Sequence, residues 1–156
     1  HLVLQYLDLR NPNVPEQVER LKLEAKLTPE QAAAVDIPAL KRFLASPLAE
    51  ELRNAGAVER EYRFTVLMDA KDYDPAALGE DAILLQGVVD CWFDGLEGIT
   101  VLDFKSDRIR PGGEAARGEE YRPQLEAYSR ALERITGQRV AHRILWFFAT
   151  GTGLEL

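Results

Sequence analysis

The sequence predicts an α+β domain, and three changes of pattern along the chain carry that prediction. Residues 1–56 consist of short amphipathic stretches interrupted by prolines and capping residues, which is typical of helices that stop and restart. From residue 57 onwards, runs rich in Val, Ile, Phe, Tyr and Trp indicate strands. A longer helical pattern covers 120–136, and a further strand pattern follows it. We therefore expect a helical region at 1–56 and, at 57–156, a central mixed sheet built on a β-meander with one flanking helix.

The helical region carries clear signals for where its helices begin. Thr28-Pro29-Glu30-Gln31 is a capping box with proline at the first helical position. Asp36 and Ser46 are two further N-cap candidates followed by proline, and Gly56 marks the end of the last helix. Two earlier stretches, 1–7 and 15–27, also have apolar residues at helical spacing. Helices this short usually form a cap or lid on a domain, and we expect that arrangement here.

The remaining segments are assigned by their apolar and turn residues. Residues 69–81 form an acidic stretch without a clear pattern, and 107–118 contain Pro111 and three glycines, so we expect loops at both places. The predicted strands are 57–68, 82–94, 99–106 and 139–149, with 152–156 able to pair with the last of them.

Length and composition bound the class of protein. At 156 residues with 46% hydrophobic side chains, the chain is expected to form a single domain over 1–156 with a real core. No run approaches the ~18 consecutive apolar residues of a membrane span, so no membrane partner is expected. The pattern begins abruptly at His1 and no signal peptide is present, which indicates a segment of a larger protein.

The chain has a single cysteine, Cys91, which limits the cross-links and metal cofactors that it can hold. It excludes an internal disulfide, a four-cysteine zinc site and a four-cysteine iron–sulfur cluster within the chain. A chain without disulfides fits the reducing cytosol, so we expect a cytoplasmic protein. The expected cofactors therefore do not include an iron–sulfur cluster.

The charge of the chain is unevenly distributed. A net charge of −7 argues at first against a non-specific nucleic-acid binder, which would usually be basic. However, residues 1–103 hold ten basic and nineteen acidic side chains, whereas residues 104–143 hold nine basic and six acidic ones. The chain therefore combines an acidic scaffold with a locally basic segment, and the whole-chain charge carries little weight against a nucleic-acid partner.

The register of one predicted hairpin brings acidic residues together. With a turn at 95–98, Asp94 pairs with Ile99. Because side chains alternate faces along a strand, Asp90 then shares a face with Asp103, Lys105 and Asp107. Continuing this register places three pairs opposite each other: Asp90 and Asp103, Val88 and Lys105, and Gln86 and Asp107.

Two opposed aspartates inside an apolar strand pair require an explanation, since like charges directly opposite each other are destabilising. A hard divalent cation provides one, because carboxylate oxygens are its preferred ligands. Lys105 would then lie close enough to orient a water or to stabilise charge on a phosphate. The alternatives are a solvated Asp-x-Lys surface and an Asp90 that merely ends a strand. The apolar flanks, Val88-Val89 and Val101-Leu102, favour positions inside the strands.

Five motifs in order along the chain resemble the RecB-like branch of the PD-(D/E)XK nucleases, and more narrowly the C-terminal nuclease domains of AddA-type helicase–nuclease subunits. The resemblance covers nearly the whole chain. Its motifs are the helix opening at His1-Leu2-Val3, Arg60-Glu61-Tyr62-Arg63-Phe64, Gly87-Val88-Val89-Asp90, Leu102-Asp103-Phe104-Lys105, and Tyr121-x-x-Gln124-Leu125-x-x-Tyr128.

The resemblance implies a fold and a set of roles. The fold would be the α/β/α-like fold of restriction endonucleases. Asp90 and Asp103 would bind Mg²⁺ or Mn²⁺ together with the Phe104 carbonyl and His1. Lys105 would position the attacking water. The remaining roles would be contacts to the metal-bound water or the DNA backbone by Gln124 and Tyr128, and support of the site by Glu61 and Tyr121.

The implied function is that of a metal-dependent deoxyribonuclease. It would act as an exonuclease domain of a bacterial ATP-dependent helicase–nuclease, hydrolysing one DNA strand during double-strand break processing and recombinational repair. Its partners would be DNA delivered by the helicase domains and an AddB-type subunit that cuts the other strand. Two alternatives stay open: a nuclease-like domain that binds DNA or a partner without cutting, and a stand-alone structure-specific resolvase.

Overall fold

The structure, a computed structural model, describes residues 2–72, 74–76, 79 and 81–156. Within these residues the chain forms six α-helices, one short 3-10 helix at Ala70–Asp72, and five strands. The helices are α1 (Leu2–Tyr6), α2 (Val14–Leu23), α3 (Pro29–Ala33), α4 (Ile37–Leu44), α5 (Pro47–Asn54) and α6 (Glu114–Thr136). The strands are β1 (Val58–Asp69), β2 (Ala82–Asp94), β3 (Ile99–Lys105), β4 (Val140–Phe147) and β5 (Thr152–Glu155).

The five strands form one mixed sheet in sequential order, β1-β2-β3-β4-β5. All neighbouring strands are antiparallel except β3 and β4, which run parallel. A parallel neighbour requires a crossover connection, and α6 provides it. The α+β prediction and the mixed sheet on a β-meander are therefore confirmed.

Local capping explains why the N-terminal helices begin where they do. The side chains of four N-cap residues each accept a hydrogen bond from a backbone N–H of the first turn, and each of these helices has proline in its first two positions. Such a cap contributes roughly 1 kcal/mol to helix stability. Three of the four are predicted from the sequence. The N-caps are Asn13, Thr28, Asp36 and Ser46.

The expectation that the N-terminal helices form a cap or lid is wrong. Their apolar sides pack on one face of the sheet and form one of the two hydrophobic clusters of the protein. Phe43 of α4 is fully buried, and its ring centroid lies 5.3 Å from that of Phe104 on β3 and 5.3 Å from that of Trp146 on β4. Because helices of eight to ten residues are only marginally stable alone, this contact with the sheet is what holds them.

Helix α6 covers the opposite face of the sheet. Leu125 and Leu132 are fully buried there in a second cluster with Val101, Leu145 and Phe147. The sheet therefore lies between two helical layers, in agreement with the expected α/β/α-like arrangement.

The predicted loop at 107–118 is too long, because α6 begins at Glu114. Gly118 favours a loop when only the sequence is considered, but it is a buried helical residue. A Cβ atom there would lie 2.3 Å from Leu154 Cδ2, so any larger residue would force the end of the Leu154 side chain to move. Pro123 also lies inside the helix. No helix in the described part of the chain is long and apolar enough to cross a bilayer.

Candidate active site

The turn at 95–98 sets the register that brings the candidate residues together. Asp94 pairs with Ile99, which confirms the predicted register. The same register continues as far as the pair formed by Cys91 and Leu102. The next residue on each strand is one of the two candidate aspartates, so the hairpin carries both carboxyl groups to one point.

The three predicted pairs beyond this point are wrong, because backbone pairing between β2 and β3 ends at Cys91 and Leu102. Asp90 Oδ2 accepts a hydrogen bond from the backbone N–H of Phe104 at 2.8 Å, so a side-chain oxygen serves in place of a strand carbonyl. The two aspartates thus meet through their side chains. The pairs absent from the ladder are Asp90 with Asp103, Val88 with Lys105, and Gln86 with Asp107, the last of which lies beyond the end of β3.

Asp103 is a buried carboxyl group beside a second carboxyl group and an ammonium group. Only 5% of the residue is exposed, and its Oδ2 atom lies 2.6 Å from Lys105 Nζ. Lys105 is the ion-pair partner of this oxygen, and the Asp90 carboxyl also lies within hydrogen-bonding reach of the Asp103 side chain. Burial, followed by the neighbouring Asp90 carboxyl, raises the pKa of Asp103 to about 7, although Lys105 acts in the opposite direction. The site is therefore arranged to favour an additional positive charge.

Lys105 is held by three groups. Besides Asp103, its ammonium group donates a hydrogen bond to Gln124 Oε1 at 3.3 Å and lies 3.9 Å from the centre of the Tyr121 ring. Its side chain is only 15% exposed. The long lysine side chain is thereby fixed at the end of β3, so little conformational entropy remains to be lost when it acts on a bound group.

Gln124 and Tyr128 extend this polar chain along α6. Gln124 Nε2 donates to the Tyr128 hydroxyl at 3.0 Å. The Tyr128 ring packs edge-to-face on Phe64 at 5.8 Å, and burial raises the pKa of its hydroxyl. A Cβ atom at Gly87 would lie 2.9 Å from both rings, so this glycine lets Tyr128 approach the strand. The predicted pair on the helix beside the site is therefore present.

Tyr121 is anchored by a residue whose role the sequence does not reveal. Its hydroxyl donates to Asp107 Oδ2 at 2.6 Å, and this bond raises the pKa of Tyr121 to about 12. Arg117 Nη1 lies 3.6 Å from the same carboxylate oxygen. Sequence reasoning misses Arg117 because it falls within the predicted loop. Arg117 lies four residues before Tyr121, so the two side chains share one side of the helix if the helix begins before residue 117. This spacing is the sequence signal that could have identified Arg117.

Two other predicted residues, Phe104 and Glu61, lie outside this chain of contacts, and a third falls outside the described part of the chain. Phe104 uses its N–H for Asp90 and buries its ring on the side of the N-terminal helices. Glu61 lies opposite Asp90 in the strand register. Its carboxylate, however, points to Arg63 and forms an ion pair with Nη2 at 3.2 Å. His1 lies outside the described residues.

The residues present fit a divalent cation in part. Two carboxyl groups converge, one of them buried with a raised pKa, and hard cations prefer carboxylate oxygens. In the described portion of the chain, however, no group of three or more His, Cys, Asp or Glu side chains is arranged as a metal site.

The whole chain is similar to a known family of enzymes. A family model described as the PD-(D/E)XK nuclease superfamily matches residues 1–154. This match spans the helical region, the sheet and α6 together.

Similar proteins from three bacteria each carry the name of an ATP-dependent helicase/nuclease subunit, the one designated A. The relative from Acetivibrio thermocellus is 35% identical over 155 residues, covering 97% of this chain and 12% of the relative. The relative from Desulforudis audaxviator is 37% identical over 158 residues, covering 97% and 13%. The relative from Moorella thermoacetica is 40% identical over 166 residues, covering 100% and 12%. The chain thus spans about an eighth of the length of these curated relatives.

Proposed function

The chain belongs to the PD-(D/E)XK nuclease superfamily, and on that premise we propose that it hydrolyses DNA phosphodiester bonds at the site formed by Asp90, Asp103 and Lys105. One observation carries the proposal: the buried Asp103 carboxyl, with its raised pKa, lies between the Asp90 carboxyl and the Lys105 ammonium. A merely structural ion pair would not need a second carboxyl at the same point.

The proposed metal ligands are the carboxylates of Asp90 and Asp103, with the Phe104 carbonyl and His1 as further ligands. The metal is proposed to be Mg²⁺ or Mn²⁺, since both prefer oxygen ligands. When bound, such an ion polarises the phosphate and lowers the pKa of a water molecule. The chain has no cysteine set for an iron–sulfur cluster.

Lys105 is the proposed positioning group for the attacking water. In the structure its ammonium pairs with Asp103, while Gln124 and the Tyr121 ring hold it from the side of α6. A cation fixed in advance at the reacting phosphate stabilises developing negative charge without reorganisation. Gln124 and Tyr128 are proposed to contact the DNA backbone or the metal-bound water, and Tyr121 to support Lys105.

The names of the relatives support a larger context. Each is called an ATP-dependent helicase/nuclease subunit. We propose that this chain is the single nuclease domain, over 1–156, of an AddA-type subunit in the bacterial cytoplasm. There, a helicase motor within the same polypeptide would deliver one DNA strand during double-strand break repair, and an AddB-type partner would cut the other. The locally basic segment 104–143 would face that strand.

Cleavage of single-stranded DNA labelled at either end, with Mn²⁺ or Mg²⁺, tests the proposal. The wild-type chain should cut, and Asp103→Ala and Lys105→Ala should each reduce the rate by at least about a hundredfold. Asp94→Ala is the matched control, because Asp94 is an exposed aspartate at the other end of the same hairpin. It should cut at the wild-type rate.

Binding of Mn²⁺, followed by calorimetry, separates the possible outcomes. Wild type and Asp94→Ala should bind the ion, and Asp103→Ala should not. DNA binding without cleavage and without Mn²⁺ binding would instead establish the non-cutting alternative. Cleavage that persists unchanged in Asp103→Ala would show that the activity belongs to another site and would overturn the assignment.

A further inference from the structure

Strands β1 and β2 exchange faces at one pair of residues. Side chains two positions apart on a strand normally lie on the same face. On β1, however, Arg60 reaches the carbonyl oxygens of Leu4 and Leu7 on the side of the N-terminal helices, at 3.2 and 2.5 Å. Tyr62 instead packs in the cluster on the side of α6. The strand therefore turns over at the residue between them, Glu61.

The same exchange occurs on the neighbouring strand. Cys91 belongs to the cluster beneath the N-terminal helices, whereas Val89 belongs to the cluster beneath α6. The residue between them is Asp90. Pairing of β1 with β2 continues on both sides of this point in an unchanged register, so no residue is inserted and the feature is not a β-bulge. Both strands are rotated together at Glu61 and Asp90.

The backbone of Glu61 accounts for the rotation. Its φ angle is +46°, in the left-handed region that side-chain-bearing residues rarely adopt. The pair of Glu61 with Asp90 is also missing from the ladder, although the pairs on either side are formed. Ala25 is the other non-glycine residue with positive φ in the described chain, but it follows the end of α2, where such a conformation is common.

The rotation has a direct effect on Asp90. A residue in a regular strand would point its side chain at one of the two helical layers. Asp90 instead turns its carboxylate towards the backbone of β3 and accepts the N–H of Phe104 at 2.8 Å. Pairing of β2 with β3 ends at Cys91, the residue directly after Asp90, so the gap in one ladder and the end of the other coincide at Asp90.

We propose that Glu61 is a positioning residue that acts through its left-handed backbone and not through its carboxylate. Its conformation rotates the β1–β2 pair and thereby aims Asp90 at the metal site. This inference rests on the proposed nuclease function. The position of the side chain agrees with it, since the Glu61 carboxylate pairs with Arg63, whose side chain is 77% exposed. An exposed pair of this kind contributes little to stability.

Thermal unfolding tests the backbone conformation independently of any activity. Glycine adopts positive φ without strain, so Glu61→Gly should raise the melting temperature by about 2–4 °C. Thr65→Gly is the matched control on the same strand, at an exposed residue with ordinary strand geometry. It should lower the melting temperature by a similar amount, as glycine usually does in a strand. A fall for both variants would overturn the proposal.

Cleavage at varied Mn²⁺ concentration tests the positioning role. Glu61→Gln and Glu61→Gly should keep the wild-type half-saturating concentration, because neither change prevents the left-handed backbone. Glu61→Val should raise that concentration by about tenfold or more, because a β-branched residue disfavours this conformation and Asp90 is then misplaced. A loss in Glu61→Gln as large as in Glu61→Val would show that the carboxylate acts directly, and would overturn the proposal.

The two measurements also separate this inference from the function on which it rests. If the wild-type chain neither cuts DNA nor binds Mn²⁺, the proposed function fails, yet the opposite shifts of Glu61→Gly and Thr65→Gly would still establish the rotated backbone. If the wild-type chain cuts and Glu61→Gly loses metal affinity, the function stands and the positioning role fails. Should Glu61→Val not fold, Glu61→Ala takes its place, because alanine also disfavours positive φ but is not β-branched.

Discussion

Both faces of the sheet carry an apolar cluster, but they differ beside the candidate site, and β3 shows the difference within a few residues. Leu102 and Phe104 point into the cluster beneath the N-terminal helices, which is apolar and rich in aromatic contacts. The neighbouring Asp103 forms an ion pair with Lys105, and Lys105 in turn donates a hydrogen bond to Gln124 of α6. One face therefore stabilises the strand, and the other face uses that stability to hold charges together that would otherwise repel or be solvated.

The largest effect on stability should come from the cluster beneath the N-terminal helices. Phe43→Ala should lower the free energy of unfolding by about 3–5 kcal/mol, because the fully buried ring contacts both Phe104 and Trp146. Urea denaturation followed by circular dichroism measures the change. Phe43→Leu is the control and should cost clearly less. A loss below about 1 kcal/mol in the alanine variant would mean that the N-terminal helices do not stabilise the sheet.

A change at the buried carboxyl of the candidate site should instead raise the free energy of unfolding. Because burial disfavours the charged form of Asp103, Asp103→Asn should stabilise the metal-free protein by about 1–2 kcal/mol at pH 8 while abolishing cleavage. The pKa of this carboxyl rises from 3.8 to about 7 on folding, so the folded wild type holds an extra proton between these values and loses stability as the pH rises through them.

Chemical denaturation at pH 5 and pH 8 measures this effect. The advantage of Asp103→Asn should be present at pH 8 and should shrink at pH 5, where the wild-type carboxyl is protonated. Added Mn²⁺ should then stabilise the wild type at pH 8 but not the variant, since a ligand stabilises only the state that binds it. A variant that is less stable than wild type at pH 8 would contradict the view that the site is strained without its cation.

A smaller effect is expected where α6 supports the lysine. Tyr121→Phe keeps the ring beneath the Lys105 ammonium but loses the bond to Asp107, so the cleavage rate at saturating Mn²⁺ should fall about two- to fivefold. Tyr121→Leu loses both contacts and should fall by about tenfold. Single-turnover rates give the comparison. Equal rates for the two variants would show that the aromatic ring has no part in holding Lys105.

The smallest effect on stability is expected at His142, which lies far from the candidate site along the sheet. His142 on β4 contacts Glu155 through Nδ1 and Glu97 through Nε2, the latter at 2.9 Å, and the bond to Glu155 followed by the one to Glu97 raises its pKa. Because the pKa is raised on folding, the stabilisation is complete below about pH 6.5 and is lost as the pH rises through the folded-state value.

His142→Gln should therefore lower the stability by about 0.5 kcal/mol at pH 5.5 and by less at pH 8.5, since the three side chains are partly or largely exposed. Glu97→Gln should reproduce part of the effect with the same pH dependence. A loss of stability in His142→Gln that does not vary with pH would indicate packing and not charge as its cause.

The sequence predicts those features that depend on neighbouring residues. The capping box at Thr28 and the N-caps Asp36 and Ser46 are confirmed, because a cap is a contact within one turn of chain. The pairing of Asp94 with Ile99 is confirmed for the same reason, since the turn at 95–98 fixes it. Local chemistry therefore suffices to bring Asp90 and Asp103 together.

Features that depend on distant contacts were not predictable. The alternation rule fails at Asp90 because the strand turns over at Glu61, and glutamate is not a residue type that signals positive φ. The predicted start of α6 is misplaced because Gly118 meets Leu154, a contact between residues far apart in sequence. The roles of Asp107 and Arg117 follow only once that helix is known, since both act on or near Tyr121.

The parallel pairing of β3 with β4 has a consequence for the order of folding. The β2–β3 hairpin closes over a short turn, whereas β4 can join β3 only after the chain has formed the long α6 connection, and closing a longer loop costs more entropy. We therefore expect the two aspartates to meet early and Lys105 to find Gln124 late. Until α6 has docked, the nascent chain would hold the two proposed metal ligands without the helix that steadies the lysine, so the proposed hydrolysis would begin only when folding is complete.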